Sequence, residues 1–139
     1  MYADELTVST VLKEIRRLRQ MLTYASVAAS KAALRNELTC QGTKLDWIEA
    51  ELARICAGRG WDLPHGTLLL PNLNIRRLRK GTLTDSDIAQ LLIRCYMDTT
   101  IHALVLLHRL PCSDVPIEAA VRTICDRLSG SISRLQEYL

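Results

Sequence analysis

Apolar residues recur along this chain at alternating steps of three and four, and the repeat is cleanest between Leu34 and Pro64. There Leu34, Leu38, Leu45, Ile48, Leu52 and Ile55 fall on one stripe of a helix, with Gln41 in the slot where an apolar residue is missing. A second run, Val8, Val11, Ile15, Leu18, Leu22, Ala25 and Ala29, precedes it and begins behind Asp4 and Glu5, whose charges suit the positive end of a helix. No Gly or Pro divides the two runs, yet one helix from 5 to 58 would be about 80 Å long at ~1.5 Å per residue, too long for a small domain. The register places the break. Leu34, Leu38, Gln41 and Leu45 run straight through Gly42, whereas the step from Ala29 to Leu34 is out of phase. The turn is therefore expected at Ser30, a good N-cap residue, with Gly42 inside the second helix at a cost of about 1 kcal/mol.

The second helix is predicted over 31–57, with Gly58 or Gly60 supplying a left-handed residue at its end and Pro64 preventing continuation. The stretch 61–84 is too long for a hairpin turn and reads as a crossover with a short helix over 72–80. Thr84 and Asp87 form a capping box that opens a third long helix to about Arg109, with Ile88, Leu92, Cys95, Thr99, His102 and Leu106 as its seam. Ser113 or Asp114 caps a fourth, with Pro116 in its first turn and a seam of Ile117, Val121, Ile124, Leu128, Ser131, Leu135 and Tyr138. Joined short, long, short, these elements predict an all-α four-helix bundle filling one domain over 1–139. A long crossover between the second and third helices is ferritin-like connectivity. The alternative is an up-down bundle whose long loop folds back.

Composition narrows the class. There is no Phe, and only two Trp and four Tyr, so the core must be built of aliphatic side chains. The five cysteines, Cys40, Cys56, Cys95, Cys112 and Cys125, are odd in number, make no CxxC pair and mostly occupy apolar slots, which reads as buried thiols in a reducing compartment. No basic-then-apolar leader opens the chain and no run of about eighteen apolar residues occurs, so a membrane span is not expected and a cytoplasmic location is. The net charge of +3 is concentrated. Between Trp61 and Leu83, Arg76, Arg77, Arg79 and Lys80 stand against Asp62 alone, and the remaining charges cancel.

The leucine-rich first helix, the LRNEL stretch at Leu34–Leu38 just after the first turn, and a second helix closing on Gly60-Trp61 with Pro64 beyond it resemble the coat F family of spore coat proteins. These are ferritin-like bundles of spore-forming bacteria, and the likeness covers Thr10 to Pro64. It implies a structural role in a spore coat or an associated assembly. Where such families carry a His in the middle of the second helix, this chain has Lys44, Leu45 and Asp46, so no metal function and no site residue carries over.

Candidate chemistry is sparse. A di-iron or di-manganese bundle needs Glu-x-x-His on two helices, and the third residue after every Glu that has one is Val8, Arg17, Cys40, Leu52, Arg54 or Val121. Asp98 and His102 lie four apart with His108 beyond, a conceivable metal or acid-base set, but a histidine in the bundle interior or at its edge, hydrogen-bonded to Asp98 or Thr99, is the favoured reading. Gln41, Thr99, His102 and Ser131 interrupt their helices near the middle and could meet as one polar layer that sets register. No phosphate loop, dinucleotide fingerprint or nucleophile elbow is present. The Arg76, Arg77, Arg79, Lys80 cluster lacks interleaved aromatics, which favours a solvated or protein-contacting segment over nucleic acid. Leu68, Leu69 and Leu70 just upstream would plug the bundle end or dock onto a second copy. The expectation is a non-catalytic bundle with no cofactor or metal, acting by protein contact and self-association. Leu68, Leu69, Leu70, Arg76, Arg77, Arg79 and Lys80 form its interaction segment. A degenerate metal-binding bundle and a basic nucleic-acid adaptor are the alternatives.

Overall fold

The three-and-four repeats become helices at the expected places. The computed structural model describes residues 2–62, 73–109 and 114–139. Within them run α1 (Tyr2–Ala28), α2 (Ala32–Gly58), a short α3 (Leu73–Arg79), α4 (Asp85–Arg109) and α5 (Val115–Leu135), followed by a 3-10 turn over Gln136–Tyr138. The protein is all-helical, with no strand among the described residues.

Local chemistry explains the boundaries. The chain turns between α1 and α2 at Ser30, but Lys31 occupies the N-cap position of α2 and makes no side-chain cap. The open N–H groups of Ser30 and Lys31 instead donate to the carboxylate of Asp85, at 2.7 and 2.9 Å, so the first residue of α4 does the capping from across the fold. Arg35 closes the turn from the other side by donating to the carbonyls of Ala29 and Ser30. Gly42 lies inside α2, as its register demanded, and a Cβ there would sit 3.1 Å from the guanidinium of Arg19, which bonds Asp46. At the far end Gly60 takes the left-handed conformation, with φ of 69°, while Trp61 N–H donates back to Cys56. The capping box of α4 forms as expected, Asp87 N–H donating to Thr84 Oγ1 and Thr84 N–H to Asp87. Asp114 caps α5 by accepting from Ile117 N–H.

The long helices pack pairwise, α1 against α2 and α4, and α4 against α5, while α3 lies on α1. Their directions follow from contacts near the ends. Ser30 meets Asp85 and Glu14 meets His102, so α1 and α4 are antiparallel. Arg59 meets Asp114 and Gln41 meets Ser131, so α2 and α5 are antiparallel. The end of α2 lies beside the start of α5, and the start of α4 lies beside the turn between α1 and α2, at the opposite end of α2. Buried apolar side chains from all five helices form one continuous cluster. By contrast, α2 and α5 approach each other closely at few places, and a cavity opens between them.

The seam of α4 departs from expectation. Ile88, Leu92 and Thr99 are buried as predicted, but the buried set continues through Tyr96, Ala103 and Leu107. Cys95 and Leu106 are half-buried and His102 is exposed. Tyr96 draws the seam over by one position, because its hydroxyl reaches Gln41 on α2.

Asp85 makes the link between α4 and the first turn pH-dependent. Its two backbone hydrogen bonds, that from Ser30 first, hold its carboxyl below the usual range, partly opposed by desolvation. A depressed folded pKa contributes stability that is present above the unfolded pKa and lost as pH falls through the folded one. The melting temperature of wild type should therefore exceed that of Asp85→Asn at neutral pH, and the gap should close in acid. A gap independent of pH would assign the Asp85 effect to packing alone.

Candidate protein-docking groove

The open side between α2 and α5 forms a groove. Leu45 and Ile48 of α2 and Leu128 of α5 make its apolar floor, each buried from solvent by the core beneath. The cavity over them has a volume of about 520 Å³, and a second of about 400 Å³ extends it past Ile124, sharing Trp47, Ile48 and Arg127. Trp47 stands at the lip, 72% exposed, although a large aromatic ring in a helix is ordinarily pressed against a neighbour. Lys44 on α2 and Arg127 on α5 line the same cavity from opposite walls. Neither is paired with a carboxylate among the described residues, whereas Glu51 at the far end is paired with Arg54. Cys40 and Ser131 close the upper end.

Beneath that end lies a buried polar layer. The Tyr96 hydroxyl donates to Gln41 Oε1 at 2.9 Å, and Gln41 Nε2 donates to the Ser131 carbonyl at 3.4 Å. Burial pushes the Tyr96 phenol well above its usual range, opposed by a hydrogen bond with Ser131 and assisted by the charge of Glu37. Of the four residues expected to meet, Gln41 and Ser131 do; Thr99 is buried but lines the pocket beside Glu14 and Leu18, His102 is exposed, and the bond that closes the layer comes from Tyr96. The layer joins α2, α4 and α5 and so sets their register.

The other candidate residues are dispersed. Asp98 and His102 line a pocket of about 300 Å³ with Glu14, Arg17 and Asn74, where His102 Nδ1 pairs with Glu14 of α1. His108 sits elsewhere, beside Ile101, Leu104 and Val105. No group of three His, Cys, Asp or Glu side chains among the described residues is arranged to hold a metal ion. Arg76, Arg77, Arg79 and Lys80 are exposed on and just after α3, which is anchored by buried Ile75 and Leu78. Arg79 lies over the Tyr24 ring at 5.7 Å. Leu68, Leu69, Leu70 and Cys112 lie outside the described residues. Cys56 and Cys125 are buried and Cys95 half-buried, and desolvation raises the pKa of all three thiols. Cys40, expected inside, is exposed.

A second apolar surface was also missed. Met97, Ile101, Leu104 and Val105 are exposed on the solvent side of α4, opposite its buried seam. Both surfaces left a trace in the sequence. Trp47 is a large apolar residue beside a seam already complete at Leu45, Ile48 and Leu52, and Met97 to Val105 make α4 apolar around most of its circumference.

Among the described residues no helix is long and apolar enough to cross a membrane. Comparison with protein-family models, with curated proteins and with solved structures finds no match to this chain.

Proposed function

We propose that this chain is a non-catalytic four-helix bundle of ferritin-like connectivity that works by protein contact, with the groove between α2 and α5 as its contact surface. The observation that carries the reading is Trp47, largely exposed above an apolar floor on the side where two helices stand apart. Trp is the residue most enriched among side chains that dominate binding energy, and it does so from desolvated positions next to apolar pockets. The likeness of the first two helices to coat F proteins supplies a setting, a spore coat or an associated assembly. Contact with a second copy or with another protein would use the same surface.

Other readings have less support. A metal-holding bundle would want Asp98, His102 and His108 together, and they face two different pockets. A nucleic-acid adaptor would want its cations on one free face, and Arg79 is engaged with Tyr24. The test is a photo-cross-linking side chain placed at position 47, with position 13 on the exposed face of α1 as control, in cells that make the protein natively. A discrete protein adduct at 47 and none at 13 is expected. No adduct at 47, or equal labelling at both, would overturn the contact reading.

A further inference from the structure

The groove has the dimensions of a missing helix. Its wall on α2 runs from Cys40 to Glu51, about 17 Å at ~1.5 Å per residue, which matches three turns of a partner helix. Its floor is apolar and its lip carries Trp47, so the side facing it must be apolar too. The charges then decide which helix. Lys44 and Arg127 face the cavity from opposite walls without a carboxylate among the described residues, and the acid at the end, Glu51, is already held by Arg54. Burying two such cations under an apolar segment would leave them desolvated and unpaired, which is strongly unfavourable. An incoming carboxylate between them converts that cost into charge-assisted hydrogen bonds.

Resting on the contact reading above, we infer that the α2–α5 groove binds an amphipathic helix of another protein, one that sets apolar side chains against Trp47 and carboxylates between Lys44 and Arg127. A second copy of this chain fits the site poorly. Its own exposed apolar stripe, Met97, Ile101 and Leu104 on α4, lies between Arg94 and the pair His108 and Arg109, with a single acid, Asp98, beside it, so its charge is net positive. Docking that stripe into the groove would set cation against cation.

The probe is a display library of 20-residue helical peptides randomised at surface positions, selected on the wild-type protein and counter-selected on Trp47→Ala. Enriched peptides are expected to carry Asp or Glu along an apolar stripe. They should bind about tenfold more weakly to Lys44→Glu and to Arg127→Glu, and recover when the acids are exchanged for Lys. Neutral or basic enriched peptides, or binding that ignores both charge reversals while still needing Trp47, would overturn this inference and leave the contact reading standing. Enrichment of no Trp47-dependent peptide would overturn both. Sedimentation showing a dimer of the free protein that Trp47→Ala dissolves would replace the acidic helix by a second copy.

Discussion

Replacing Tyr96 with alanine should lower the free energy of unfolding by about 3–5 kcal/mol, the range for emptying a large buried aromatic site. Tyr96 is fully buried and among the largest of the fully buried side chains, in a core otherwise built of aliphatic residues. Its loss opens a cavity where α2, α4 and α5 meet, and it strands Gln41 Oε1, which accepts the Tyr96 hydroxyl at 2.9 Å. The polar part of this effect separates from the packing part. Tyr96→Phe keeps the ring and leaves the Gln41 oxygen without its donor, for a cost of about 1–3 kcal/mol. Gln41→Leu leaves the hydroxyl with Ser131 as its remaining partner and should cost less, about 1 kcal/mol. Combining Tyr96→Phe with Gln41→Leu removes both halves of the bond, so the double variant should lose less than the two single losses added together. Urea unfolding of the four variants measures this. Additive losses would show that the bond contributes nothing to the meeting of these helices.

The second large effect falls on binding and spares the fold. Trp47→Ala should change unfolding free energy by no more than about 0.5 kcal/mol, because the indole is 72% exposed and stands above the core without entering it. The same substitution should cost about 2–4 kcal/mol in affinity for whatever occupies the groove, the magnitude of an aromatic anchor at the centre of an interface. Stability and contact are thus expected to separate at this position, whereas at Tyr96 they fall together. A Trp47→Ala protein that unfolds early would mean the ring is part of the core, and the groove would lose its standing as a surface.

Much of the fold was legible because helices are local. The out-of-phase step between Ala29 and Leu34 marked the turn, and the unbroken register through Gly42 kept α2 whole. Thr84 with Asp87, Asp114 before Pro116, and the glycines before Pro64 announced helix ends through chemistry that involves only near neighbours. The failures are long-range. His102 lies on a valid stripe of α4 and was expected on its seam with Asp98 or Thr99 as partner, but it is exposed and meets Glu14 of α1, because the buried face follows Tyr96, whose partner is 55 residues away on α2. Ser30 was expected to cap α2 from within the turn, and Asp85 does it from a helix distant in sequence.

The groove was the least legible feature. A repeat says which side of a helix is apolar, and it does not say how far that side stands from the next helix. Leu45, Ile48, Ile124 and Leu128 read as ordinary seam residues, and only the looseness of the α2–α5 pairing turns them into a floor. Trp47 was overlooked because it lies one position off a complete stripe. An aromatic residue surplus to a full seam is the signal that could have found it.

Accessibility of Trp47 inside the cell tests the account most directly. Oxidative footprinting of the purified protein should modify Trp47 readily and the half-buried Trp61 more slowly. In intact cells the account predicts strong protection of Trp47 with little change at Trp61, because the groove is occupied. Trp47 reacting as fast in cells as in the purified protein would contradict it.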